Sequence, residues 1–162
     1  MELYKILFLM LPIAVLLHIT EEFIYPGGFM DWDRVYRPGM AKTKHSHFLL
    51  IINLLLLAIC FNPILSGLTD GGIIWWLSIA SILLVNAIFH IKGVFVLKRY
   101  SPGVITSVFI YLPLVTYGYW YFLSENKVGL TTAAPCFSVG IAYHLFSTFN
   151  PLRKSGKSNH QS

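Results

Sequence analysis

Charge is scarce in this chain. Only 12% of its 162 residues are Asp, Glu, Lys or Arg, against 56% hydrophobic and 15% aromatic, whereas an ordinary soluble domain is about 25% charged. That balance, with a mean hydropathy of +0.65, excludes a soluble globular class. Acids are the scarcer sign, seven against twelve bases. The two cysteines, Cys60 and Cys136, match no zinc or redox spacing and read as free thiols buried in apolar segments. No internal repeat is visible, which weighs against the inverted-repeat transporters. A signal-peptide cleavage pattern is also missing after the first apolar run, because Glu21 and Glu22 stand where its small residues would lie. Residues 1–25 therefore read as a mature helix.

What the chain does have is long apolar runs. Crossing roughly 30 Å of hydrocarbon takes about 20 residues, and five stretches are long enough: 4–25, 46–66, 73–97, 103–123 and 129–149. The expected fold is an all-α polytopic membrane helix bundle of five transmembrane helices, one domain over 1–149, followed by a basic, disordered cytoplasmic tail over 150–162. Cytoplasmic loops carry the excess of Lys and Arg. Arg34, Arg37, Lys42, Lys44, Lys98, Arg99, Arg153, Lys154 and Lys157 fall on one side, and only Lys5 and Lys127 on the other. The N-terminus is thus expected outside and the C-terminus inside, in a multi-pass protein of the cytoplasmic (inner) membrane. Topology and membrane-surface attraction account for the net charge of +5, which gives no reason to invoke nucleic acid.

Residues 6–17 are wholly apolar apart from Pro12, and then come His18-Ile-Thr-Glu21-Glu22. Desolvating an ionisable side chain within a membrane has to be offset by something specific, so such residues mark candidate sites. Spacings of i, i+3 and i+4 let one imidazole and two carboxylates share a helix face. With the orientation above, Asn86 and His90 of the third span and His144 of the fifth lie at a similar depth, and the outer half holds no comparable group. Histidines 45 and 47 sit at the water boundary and read as interfacial. Asn53 and Asn86 would serve equally as interhelical hydrogen bonders. The long connection 26–45, with Pro26-Gly27-Gly28, Phe29, Trp32, Tyr36 and Pro38-Gly39, reads as an interfacial cap on the cytoplasmic surface.

Taken in order, His18-Ile-Thr-Glu21-Glu22, Asn86-Ala-Ile-Phe-His90, Arg99-Tyr100-Ser101-Pro102-Gly103-Val-Ile-Thr106 and His144 resemble the bacterial HXXEE-domain membrane proteins over roughly residues 10–148. The resemblance implies integral membrane location and marks His18, Glu21, Glu22, Asn86, His90, Tyr100, Pro102, Gly103 and Thr106 as motif positions, with His144 a thinner match. It supplies no reaction. Physically, Arg99 to Gly103 reads as a tight turn in which Ser101 can cap the fourth span. The free amides there, with Lys98, Arg99, Tyr100 and Thr106, would attract an anionic headgroup or phosphate.

Three functions compete. A membrane-embedded metalloenzyme would hold a divalent metal, zinc first and iron second, on His18, Glu22, His90 and His144. Glu21 or Glu22 would be its base, Asn86 an orienting partner, and hydrolysis of a membrane lipid or hydrophobic small molecule its reaction. Di-iron oxygen chemistry is less favoured, because only two acids are present in a His-x-x-Glu order. A proton- or metal-coupled transporter would use the same residues, with a homodimer supplying the pathway one protomer lacks. A non-catalytic accessory protein would need the polar layer only for packing.

Overall fold

A computed structural model of the protein describes residues 2–38 and 45–158, with side chains over 2–38 and 48–147. Lys42, Lys44 and residues 159–162 lie outside the described residues. The described chain is helices and turns, as apolar sequence demands. Within a membrane a single segment satisfies its backbone donors and acceptors only by coiling into a helix.

The elements are α1 (Leu3–Phe23), α2 (Phe29–Tyr36), α3 (His45–Ile59), α4 (Asn62–Ser66), α5 (Asp70–Leu97), α6 (Val104–Thr106), a π-helical turn (Ser107–Tyr111), α7 (Leu112–Ser124) and α8 (Leu130–Ser158). Two of the spans are interrupted at proline. Pro63 opens α4 and breaks the second span after Ile59. Pro113, one residue into α7, lacks the amide that would bond the carbonyl four residues back, and the π-turn ends just before it.

Among the described residues four stretches are long and apolar enough to cross a membrane: Leu3–Phe23, Phe48–Ser66, Asp70–Leu97 and Val104–Ser124. The expected count of five is corrected to four. Of the fifth stretch, residues 130–149 do fall in a helix, α8, but Thr131, Thr132, Ser138, His144 and Ser147 dilute its apolar content. α8 continues through the start of the basic tail to Ser158.

α5 is the central helix. The Trp76 indole, fully buried, donates to the Leu7 carbonyl of α1 at 2.9 Å. Its ring lies so close to Gly118 of α7 that a Cβ there would overlap Cη2. Ser81 donates to the Cys136 carbonyl of α8 at 2.7 Å, where Gly140 admits the α5 backbone. Leu7 beside Trp76 and His18 beside Asn86 make α1 and α5 parallel, while Phe122 against Phe8 and Thr106 against His18 show α6–α7 returning. The apolar core of Leu11, Val15, Leu77, Ala80, Leu83 and Val115 fills the interior. α1 and α5 therefore finish, and α6 begins, at the same end of the bundle.

Part of the connection expected to be an interfacial cap is a helix, α2, with Phe29 and Trp32 buried and Asp31 and Arg34 exposed. Trp32 packs against Gly93, where no Cβ would fit, and lies 6.1 Å from the His90 ring. A cap is what the sequence predicts. The structure makes its apolar face a wall of the polar site.

Candidate metal centre

The site assembles where α1 and α5 end beside the start of α6. His18 and Glu22 stand one turn apart on α1, and His90 faces them from α5. The exposures of His18, Glu22 and His90 are 1%, 2% and 0%. Such burial of a carboxylate is costly unless a proton, a donor or a cation compensates it. Glu22 Oε1 lies 3.5 Å from His18 Nε2 and 3.1 Å from His90 Nε2, and one donor atom from each of the three residues falls within 4.8 Å of the others. Although His90 Nε2 is near Glu22, the nitrogen has no hydrogen-bond partner among the described residues.

Each imidazole is fixed at its other nitrogen. His18 Nδ1 lies 2.7 Å from Thr106 Oγ1, and His90 Nδ1 lies 3.1 Å from Ser101 Oγ. This is how ligating histidines are held in metal sites. The Tyr111 ring stacks 4.6 Å from His18, and Phe29 lies 5.8 Å from His90. Gly103, with φ +97°, closes the group. A Cβ there would stand 2.7 Å from His18 Cε1 and 2.8 Å from His90 Cε1, which leaves glycine the residue that fits.

Glu21, expected to converge with its neighbour, faces a different partner. Its carboxylate accepts from the Tyr100 hydroxyl at 2.6 Å, the Ile105 amide at 3.0 Å, the Thr106 amide at 2.7 Å and the Thr106 hydroxyl at 2.5 Å. Burial and the bond to Glu21 push the Tyr100 hydroxyl well above its ordinary pKa, so it stays protonated and donates. The anion at the N-terminus of α6 is thus the protein's own Glu21, at the place where the sequence suggests an external headgroup or phosphate. Arg99 is exposed. Ser101, expected to cap the helix, is fully buried against His90 instead, and the N-cap is Gly103 without a side-chain cap. Glu21 takes that role, contributed from another helix.

Asn86 donates from Nδ2 to His18 Nε2 at 2.9 Å, and Asn53 Nδ2 reaches Glu22 Oε2 at 3.4 Å. His144 lies outside the group of three donors, with its ring 5.2 Å from Phe89. It does border, with Glu22, Arg37, Asn53, Asn86 and Tyr143, a cavity of about 50 Å³, room for water. On α2, Asp33 meets Arg37 at 2.6 Å, and burial pushes its carboxyl up against the pull of that guanidinium.

Missed by sequence reasoning were Ser101 as a partner of His90 and Tyr111 beside His18, whereas Asn53, read as an interhelical hydrogen bonder, does bond from α3 to Glu22 of α1. The fixed spacing of Ser101 from a turn proline carries no sign of its partner, and Tyr111 is one aromatic among many.

A family model described as "Protein of unknown function with HXXEE motif" matches residues 9–118, a stretch that contains His18, Glu21, Glu22, Asn86, His90 and Thr106. No curated protein and no solved structure matches the chain.

Proposed function

We propose that this chain, which belongs to the HXXEE family of proteins of unknown function, is an integral membrane protein that binds a divalent metal on His18, Glu22 and His90. The same reading makes it a metal-dependent enzyme acting on a lipid-like substrate by hydrolysis. The observation that carries it is the meeting of two imidazole nitrogens and one carboxylate oxygen within 4.8 Å, fully buried. Two histidines and a carboxylate leave a coordination position open, as catalytic zinc sites do. Loading with a cation would also offset the burial of Glu22.

A divalent ion there supplies a Lewis acid for a carbonyl or phosphoryl oxygen. The protein's own groups do the rest. Glu21, saturated by four donors, is unsuited to take up a proton. Glu22 borders the cavity, and its Oε2, which among the described residues has only the long contact from Asn53, would accept one from water. His144, on the cavity wall, is placed to hand a proton to the leaving oxygen or nitrogen. Asn86 keeps the His18 Nε2 lone pair satisfied when no cation is bound. In the cell membrane, the end carrying Arg34, Arg37, Lys98 and Arg99 would face the cytoplasm, so the substrate would enter from the inner leaflet.

The test is metal content by mass spectrometry on detergent-purified protein beside Glu22→Gln and His90→Gln variants. Near-stoichiometric zinc in the native protein, lost in both variants, is the expected result, and substrate screening would then begin with lipid esters, amides and phosphoesters. Iron in its place would select oxidative chemistry, since two histidines and one carboxylate also form the ligand set of non-haem iron enzymes. Protein that stays metal-free after reconstitution with either ion would overturn the reading.

A further inference from the structure

We infer that Glu21 and Thr106 are positioning residues that set the tautomer of His18, holding its proton on Nδ1 so that Nε2 presents a lone pair to the metal position. This rests on the metal-binding reading for its purpose, but the tautomer itself follows from the hydrogen bonds. The Thr106 hydroxyl has one proton and three acceptors within reach: Glu21 Oε2 at 2.5 Å, His18 Nδ1 at 2.7 Å and the Gly103 carbonyl at 3.2 Å. The carboxylate is both the nearest and the charged acceptor, and charge-assisted bonds of this kind are roughly twice as strong as neutral ones. The proton therefore goes to Glu21.

Thr106 Oγ1 is then left with lone pairs toward His18, and the 2.7 Å contact can be a hydrogen bond only if Nδ1 carries a hydrogen. The opposite side of the ring agrees independently. Asn86 presents its amide nitrogen, a donor, to Nε2 at 2.9 Å, which requires an acceptor there. A neutral imidazole protonated at Nδ1 satisfies both contacts, and the other tautomer would set donor against donor at Nε2. Glu21 is held in turn by the Tyr100 hydroxyl and the amides of Ile105 and Thr106. The chain of bonds therefore runs from the start of α6, through Glu21 and the Thr106 hydroxyl, to the ligating ring. That gives the two adjacent glutamates of the motif separate tasks: Glu22 faces the metal position, and Glu21 orients the histidine four residues before Glu22.

The test uses full-length protein labelled with ¹⁵N-histidine, stripped with chelator. Nitrogen NMR distinguishes protonated from unprotonated ring nitrogens, and a His18→Gln sample identifies the His18 pair by subtraction. Native protein, Thr106→Ser and Asn86→Leu are expected to show the proton on Nδ1. Thr106→Val combined with Asn86→Leu removes both the acceptor at Nδ1 and the donor that holds Nε2, leaves Glu22 Oε1 beside Nε2, and is expected to move the proton to Nε2. Should that variant fail to fold, Thr106→Ala with Asn86→Leu is read in its place, with the same shift expected. Native His18 protonated on Nε2, or no shift in the folded double variant, overturns the inference.

Zinc titration of native protein, Thr106→Ser and Thr106→Val separates this inference from the reading it serves. Loss of an orienting partner typically costs 10–100-fold in metal affinity, so Thr106→Val should bind zinc that much more weakly while Thr106→Ser stays near native. If the tautomer shifts as expected but even native protein binds no metal, the relay stands and the metal reading falls. If native and Thr106→Val bind zinc equally, the relay does not govern the ligand and the inference falls.

Discussion

Two neighbouring glutamates, Glu21 and Glu22, divide the labour of this site, and their substitutions should separate cleanly. Glu21 accepts four hydrogen bonds that hold the start of α6. Truncating it to alanine strands two backbone donors beside a buried threonine, and hydrogen bonds to a charged group are worth about 1.5–3 kcal/mol each. Glu21→Ala is therefore expected to lose at least ~3 kcal/mol, read as a lowered melting temperature in detergent. Glu22→Gln should leave that temperature nearly unchanged, and a fall equal to that of Glu21→Ala would mean both acids are structural. Gly103→Ala tests the neighbouring constraint. With φ at +97° and a Cβ 2.7 Å from His18, it should displace the rings and abolish metal retention while far-UV circular dichroism keeps its helical signal. Native-level metal in that variant would show that the turn yields without moving the imidazoles. At this scale the sequence told a good deal. His18 and Glu22 have an i, i+4 spacing and share a depth with His90, and the structure brings the three together. It could not tell which glutamate faces His90, because helical rotation of about 100° per residue puts Glu21 and Glu22 on either side of the His18 direction. Only the position of α6 decides between them.

The element that governs access to the site is α2, docked through Trp32 onto the end of α5. Its anchor is the contact with Gly93, where a Cβ would overlap the indole ring. Gly93→Val is expected to lift α2 from the bundle and loosen its helix, so that trypsin cuts after Arg34 in open vesicles at a rate clearly above that of the native protein. Unchanged cleavage would mean that the helix docks through Phe29 and Leu49 without Trp32. The sequence places aromatics and turn formers in this segment but hides the helix. Between Pro26-Gly27-Gly28 and Pro38-Gly39 there are too few residues for a 3.6-residue period to show itself. Long helices were legible for the opposite reason. α1 and α5 are continuous apolar runs bounded by turns, and their limits differ from expectation by three residues or fewer. The π-turn at Ser107–Tyr111 was not legible, since Pro113 announces a break and leaves its form to the packing around it.

For the molecule as a whole, orientation decides which leaflet would supply a lipid-like substrate to the proposed site. α1, α5 and α8 run parallel, with Ser81 beside Cys136 and Phe89 beside His144, so α8 extends along α5 to the end of the bundle that holds His18, Glu22 and His90. Among the described residues four stretches reach the apolar length of a span, and α8 falls short through its polar residues, which is where counting hydrophobic runs misjudged the chain. The positive charges nevertheless distinguish the two ends: Arg34, Arg37, Lys98 and Arg99 at one, Lys5 and Lys127 at the other. Cys60 and Cys136 are both free and buried, so single cysteines introduced on the surface should be labelled over a low background. Glu2→Cys and Glu125→Cys are expected to react with a membrane-impermeant maleimide in intact cells, and Lys98→Cys only after permeabilisation. A fluorescent reporter fused behind the basic tail should share the side of Lys98 if α8 crosses with α5. The reverse pattern at Glu2 and Lys98 would invert the protein, opening the cavity beside Glu22 to the outer leaflet and making lipids of that leaflet the first substrates to try.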